Sequence, residues 1–324
     1  MSVLRLESVS RWYGNVVAVN DVTMTIGPGI TGLLGPNGAG KSTLIHMMGG
    51  FLAPSSGSVT LDGERVWHNE SIYRQVGLVP EREAMYDVVS GWSFTLANAR
   101  LHQLPDPEAA ARRALEVVEM TDAADRDIST YSKGMKQRVK MASALVHDPS
   151  VLLLDEPFNG MDPRQRLHLM ELLRSMGEQG RTVLFSSHIL EEVEQVAGTI
   201  EVMVAGRHAA SGDFREIRRL MTERPHLYTV QSSDDRALAA LVIADGCASA
   251  VELVAADAGV SSAAARPGHA TGEGEVGSLR VQATDYGRFA HVLPRLAREG
   301  DIRLFQVSPA DESLESVFGY LVNR

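Results

Sequence analysis

From Val3 to about Gly206, short runs of β-branched residues and leucine alternate with segments whose apolar positions recur every three to four residues. The runs VLRLESVS, ITGLLG, VGLVP, VLLLDEP, TVLFSS and TIEVMVAG read as strands, since apolar stretches of this length fit a pleated, buried surface. Strands interleaved with helical segments predict an α/β fold, a sheet covered by helices. Between about residues 83 and 146 helical spacing takes over, most clearly in EAAARRALEVVEM from Glu108 to Met120. A helical subdomain inserted into the α/β body is the expectation.

The pattern changes again beyond a charged helical stretch at 214–224. Pro225 ends that helix because its ring cannot continue one. Strand LYTVQS, helix 234–243, strand SAVELVA, strand SLRVQAT, helix 286–298, strand IRLFQVS and helix 313–321 then follow. This order predicts the two βαβ halves of a ferredoxin-like α+β domain. Residues 255–277, between the halves, are rich in Ala, Gly and Ser and are predicted to be a mobile loop. The expected domains are therefore 1–215 and 225–324, with no internal repeat of the first.

Composition narrows the function. At 324 residues and 44% hydrophobic, the chain has material for two packed cores. Its 31 Lys and Arg against 41 Asp and Glu give a net charge of -10, so the surface as a whole repels nucleic acid phosphates. No nucleic acid partner is expected. The single cysteine, Cys247, sits in an apolar, Ala-rich stretch and reads as a buried structural thiol in a reducing compartment. The opening MSVLRLESVS has no long apolar run, and no window approaches the roughly 20 apolar residues of a membrane helix. A cytoplasmic chain that does not itself cross a membrane is expected.

The strongest chemical signal is GPNGAGKST, which follows the strand ITGLL and precedes the helical LIHMMGG. In that context Gly35, Pro36, Asn37, Gly38, Ala39, Gly40, Lys41, Ser42 and Thr43 read as a phosphate-binding loop. The glycines let the backbone turn its N–H groups inward toward phosphate oxygens, and the helix start adds its positive dipole end. Lys41 brings a full charge to the outer phosphates, and the Ser42 hydroxyl is placed to ligate Mg²⁺. In VLLLDEP, Asp155 and Glu156 follow a buried strand, at the edge where α/β sheets bind ligands. Asp155 is expected to hold a Mg²⁺-bound water and Glu156 to polarise the water that attacks the γ-phosphate. In YSKGMKQR, the Ser132 hydroxyl and the N–H groups around Gly134 open a helix and are suited to grip another phosphate.

In this order and spacing the three motifs resemble the ATP-binding cassette family of P-loop NTPases, over roughly residues 3–215. The resemblance adds Asp162 in the loop NGMD. It implies that His188 senses the γ-phosphate and holds the attacking water, and that Tyr13 stacks on adenine, with Trp12 as the alternative ring. Glu81 stands where the family usually has Gln, and an oxygen ligand for Mg²⁺ is retained by that exchange. The family's LSGGQ becomes YSKGM here, with Lys133 and Met135 replacing Gly and Gln. Those departures, and the ESLESVF-like C-terminal sequence (Pro309 to Phe318), are similar to the branch serving ABC-2 type exporters. The resemblance implies ATP and Mg²⁺ as cofactors, Lys41, Glu156 and His188 as catalytic groups, and two cassettes meeting head to tail. It also implies a second copy or a homologue as the partner cassette, and integral membrane permease subunits contacted through the region from Glu81 to Trp92. The chain then works peripherally on the inner membrane face. A soluble cassette ATPase of translation, repair or regulation is the competing expectation; the acidic balance, the absence of CxxC and the single cassette weigh against it.

Overall fold

The computed structural model describes residues 2–82, 85–213, 226–254 and 278–309. These fall into two compact units, one ending at residue 213 and one starting at 226. The expected helices at 214–224 and 313–321 and the expected loop at 255–277 lie outside the described residues.

The first unit opens with the hairpin β1 (Leu4–Tyr13) and β2 (Val16–Ile26), followed by β3 (Gly29–Leu34) and α1 (Lys41–Met48). Next come β4 (Ser56–Leu61), β5 (Glu64–Arg65) and β6 (Val76–Val79), then α2 (Gly91–Leu101), α3 (Pro107–Val117) and α4 (Lys133–Leu145). It closes with β7 (Val151–Leu154), α5 (Pro163–Glu178), β8 (Thr182–Ser187), α6 (Leu190–Val196), β9 (Thr199–Val204) and β10 (Arg207–Gly212). One sheet has the order β10-β9-β3-β8-β7-β6, parallel throughout except for β10. Every residue of β7 and β8 is buried, as expected for strands covered on both faces and written as continuous apolar runs.

The sequence reading places β1 among the strands of a single α/β sheet, and the structure corrects this. β1 belongs to a separate antiparallel sheet of order β2-β1-β4-β5. The physical reason lies in the pattern: Leu4 and Leu6 are buried while Arg5 and Glu7 are exposed, the alternation of a strand with one wet face. The inner face of this sheet joins α1 and β3 in one core that includes Leu4, Val22, Leu33, Leu44 and Val59. α2, α3 and α4 pack on one another as the expected helical region, and Asp106 caps α3 by accepting from the Ala109 N–H at 2.9 Å.

Because β3, β8, β7 and β6 run parallel, their carboxyl ends share one edge. Gly35, His188, Asp155 and Glu81 therefore emerge side by side although they are far apart in sequence.

A buried polar cluster ties β9 to β10. Glu201 accepts from Ser211 Oγ at 2.9 Å and meets His208 Nε2 at 2.6 Å. The hydrogen bond to Glu201 raises the His208 pKa above its ordinary value against the opposing effect of burial. A raised folded-state value stabilises fully below the ordinary histidine pKa and is lost as pH rises through the raised one. The melting temperature is therefore expected to fall across that alkaline-going window in the wild type. His208→Gln should lack the fall and, at acid pH, lose roughly 1 to 3 kcal/mol of stability. Thermal melts of both proteins against pH check this.

The second unit runs β11 (His226–Ser232), α7 (Asp235–Asp245), β12 (Ala248–Val254), β13 (Ser278–Ala283), α8 (Tyr286–Glu299) and β14 (Leu304–Pro309). Its sheet order is β12-β13-β11-β14 with all neighbours antiparallel, so two βαβ crossovers interleave. Val230, Leu238, Val281, Phe289 and Leu293 form its core. Cys247 is buried there, with Val242 O 3.7 Å from its sulfur, and burial pushes its thiol pKa up, as suits a structural cysteine.

Candidate nucleotide site

The turn from β3 into α1 carries the residues expected to form a phosphate loop. Gly38 and Gly40 take φ of 81° and 96°, in the left-handed region that favours glycine. At Gly40 a β-carbon would also strike the Ala18 carbonyl oxygen, so glycine is required there twice over. The loop walls a cavity of about 350 Å³ lined by Asn37, Gly38, Ala39, Gly40, Lys41, Ser42, Thr43, Ala18, Glu81 and Glu156. Strand β2, the turn from β3 into α1 and the exits of β6 and β7 thus contribute to one polar pocket.

Lys41 is 6% exposed and curls back over the loop, donating from Nζ to the carbonyls of Gly35 at 2.6 Å and Pro36 at 3.2 Å. Its ammonium lies 3.4 Å from Glu156 Oε1, an ion pair without hydrogen-bond geometry, so that oxygen has no hydrogen-bond partner among the described residues. The other carboxylate oxygen of Glu156 meets His188 Nδ1 at 3.0 Å. Burial raises the Glu156 pKa, and Lys41 and His188 pull it partly back. A carboxylate held above its ordinary value in a polar pocket suits proton transfer near neutral pH.

The backbone at Glu156 is itself unusual, with φ of 48° in a non-glycine residue. Ser186, at the end of β8, holds that turn: its Oγ accepts from the Glu156 N–H at 2.9 Å and donates to Asp155 Oδ1 at 2.7 Å. Sequence reasoning missed Ser186. The signal for it was the pair of serines ending the otherwise apolar TVLFSS. Asp155 is 1% exposed and does not line the cavity, lying behind Glu156 with one oxygen engaged by Ser186.

Of the remaining expected residues, Ser132, Gly134, Asp162 and Tyr13 do not line the pocket, whereas Glu81 does. Ser132 caps α4, accepting from the Met135 N–H at 3.2 Å, and Gly134 packs so closely on Gln165 of α5 that a β-carbon would collide with it. Asp162 caps α5 by accepting from the N–H groups of Arg164 and Gln165 at 3.0 and 2.9 Å. Tyr13 is 45% exposed near the hairpin turn, with the Arg11 guanidinium carbon 4.9 Å from its ring centroid, and Trp12 beside it is equally open. Glu81 is brought to the pocket with its carbonyl, like that of Pro80, accepting from Lys140 at 3.3 and 2.8 Å.

The family model for ABC transporters matches residues 19–159. The linearmycin resistance ATP-binding protein LnrL of Bacillus subtilis is 36% identical over 65% of this chain and 69% of its own length. The chain belongs to the ABC transporter family of ATP-binding proteins. The cassette is also 34% identical to the bacitracin transport ATP-binding protein BcrA of Enterococcus faecalis, over 74% of this chain and 78% of that one. Two uncharacterised ABC transporter ATP-binding proteins, from Nostoc and Synechocystis, are matched over 62% and 53% of their length, less than two thirds. A solved ATP-binding subunit of an ABC transporter superposes with a TM-score of 0.61 at 29% identity, over 67% of this chain and 92% of that structure. Members of this family bind and hydrolyse ATP. Among the described residues no helix is long and apolar enough to cross a membrane.

Proposed function

We propose that this chain is the ATPase of an ABC-2 type exporter, working as a pair of cassettes on the inner face of a membrane and driving separate permease subunits. The observation that supports it most is the convergence of Lys41, Glu156 and His188 within 3.4 Å links at the mouth of the phosphate loop. In this reading the nucleotide's outer phosphates take over Lys41 from the Gly35 and Pro36 carbonyls, and Tyr13 stacks on the adenine ring. Glu156 takes the proton of the attacking water, and His188 orients that water and the carboxylate together.

Ser42 and Glu81 supply hard oxygen donors in the same cavity, with Asp155 behind it, a donor set that fits Mg²⁺ arriving with the nucleotide. Ser42 and Glu81 would hold it directly and Asp155 through a bound water, and it would neutralise phosphate charge when bound. One pocket is open where Ser132 and Gly134 of a second cassette would close it. ATP then bridges two chains, and hydrolysis removes the bridge. Asp162, at the start of α5, lies in the loop expected to face that second cassette.

The exporter reading is supported by the relatives named for bacitracin transport and linearmycin resistance, and by the YSKGM and Glu81 departures. The test is Mg²⁺-dependent ATP hydrolysis per chain as a function of protein concentration. Specific turnover should rise with concentration as pairs form. Turnover that stays flat from the most dilute sample upward would mean a single chain suffices, and the paired site would be wrong.

A further inference from the structure

Strand β8, which leads into His188, ends in two serines, and successive residues of a strand point to opposite faces of the sheet. Ser186 reaches Asp155 and the Glu156 backbone. Ser187 points the other way and meets Glu192, in the first turn of α6. Its hydroxyl donates to Glu192 Oε2 at 2.7 Å and accepts from the Ile189 N–H at 3.0 Å. The other oxygen of Glu192 pairs with the Arg166 guanidinium of α5, Nη1 to Oε1 at 3.2 Å.

Glu192 is 5% exposed, and neither it nor Ser187 nor Arg166 lines the nucleotide cavity. A carboxylate taken so far out of water is costly unless it is paired and hydrogen-bonded, and one hydroxyl and one guanidinium meet that need here. As a source of stability such a pair is weak, since well-packed apolar residues in its place often serve as well. What it supplies is direction. A serine hydroxyl has a single proton and rotates to suit its surroundings. Glu192 claims that proton, which leaves the lone pairs of Ser187 facing the Ile189 N–H. The backbone is thereby held on both sides of His188, whose ring meets Glu156 Oε2 at 3.0 Å. The His188 side chain is 37% exposed, so packing alone does not fix it. Without Glu192 the Ser187 hydroxyl is free to turn its proton to the Ile189 carbonyl, 3.4 Å away, and its hold on the N–H is no longer set.

Resting on the roles given to His188 and Glu156 above, we infer that Glu192 is a positioning residue for ATP hydrolysis, acting through Ser187 to hold His188 against Glu156. Arg166 balances the buried charge and anchors the link on α5, one turn after Asp162, whose carbonyl accepts from the Arg166 N–H at 3.0 Å.

Steady-state turnover and calorimetric ATP affinity of the full chain test this. Glu192→Ala should turn ATP over about ten- to a hundredfold more slowly, the loss expected when a reacting group is slightly misplaced. Its ATP affinity should be unchanged, because the link lies outside the cavity. Ser187→Ala breaks the link from its other end, leaves the Glu192–Arg166 pair in place and should show the same loss. Glu192→Gln, whose amide oxygen can still accept from Ser187, should recover most of the wild-type rate. In a His188→Ala background, read by single-turnover phosphate release, Glu192→Ala should cost nothing further, since a residue acting through His188 has nothing left to act on. The His188 ring signal in ¹³C-labelled protein should shift in Glu192→Ala and Ser187→Ala while that of His208 stays. Wild-type turnover in Ser187→Ala, an undiminished further loss in the His188→Ala background, or an unmoved His188 signal overturns the inference. If His188→Ala alone turns over at the wild-type rate, the role given to His188 is wrong and the inference falls with it. Slow turnover in His188→Ala beside normal turnover in Ser187→Ala leaves that role standing and removes only the one given to Glu192.

Discussion

Glu156→Gln should bind ATP as well as the wild type or better and turn it over roughly a thousandfold more slowly, in the range lost when a general base is removed. The amide has the shape of the carboxylate, and the turn that presents it is set by Ser186 through the Glu156 N–H, a contact that the substitution leaves alone. ATP binding is expected to hold or tighten because one negative charge leaves a pocket that receives phosphates. The wild type adds a second signature. Burial raises the Glu156 pKa, and a protonated carboxyl cannot take a proton from water. Wild-type turnover should therefore fall as pH drops through a value above the ordinary carboxylate range, while the residual turnover of the variant shows no such limb. Steady-state turnover against pH, beside calorimetric ATP affinity, checks both. A variant that keeps more than about half of the wild-type rate would remove Glu156 from its role.

The sequence was most legible where chemistry needs particular residues at a fixed spacing. GPNGAGKST specified its own turn, because only glycine tolerates the backbone at Gly40 against Ala18, and the structure folds the segment into one cavity. The carboxylate pair after β7 was legible as a strand exit, yet the difference between its members was not. Asp155 lies behind Glu156, tied to Ser186, which is contributed by a strand some thirty residues later. Such a partnership follows from the parallel order β8-β7, and periodicity in one segment does not report which strand will neighbour it. The same limit explains β1: its alternation was visible, but assignment to a separate antiparallel sheet depends on pairing with β2 and β4. Local caps sit between these extremes. Ser132 and Asp162 were picked for ligand roles, and the single chain uses both side chains to start helices α4 and α5. The two uses are compatible, since a cap leaves helix N–H groups in line toward a second chain. The part played by Glu192 left no trace in sequence, because its carboxylate meets Arg166 only when α5 and α6 pack.

Lys41→Ala should act on a different step, weakening ATP binding by about a hundredfold, as expected when charge-assisted hydrogen bonds to phosphate are lost. The side chain is buried, already aimed into the loop through the Gly35 and Pro36 carbonyls, and exchanges those partners for phosphate oxygens at small cost in its own freedom. Removing it also leaves Glu156 Oε1 with neither hydrogen bond nor cation. The Glu156 pKa should climb further, because Lys41 is the largest of the influences that lower it. The residual acid limb of turnover should then move to higher pH, a consequence that a merely unfolded loop would not produce. The loop itself should persist, since Gly38 and Gly40 fix its turn through the backbone rather than through the lysine. Adenosine, which has no phosphates, serves as the control ligand: its affinity should be the same in both proteins. Unchanged ATP affinity in the variant would mean that phosphate is not read by Lys41. Equal losses for ATP and adenosine would mean that the pocket had collapsed rather than lost a charge.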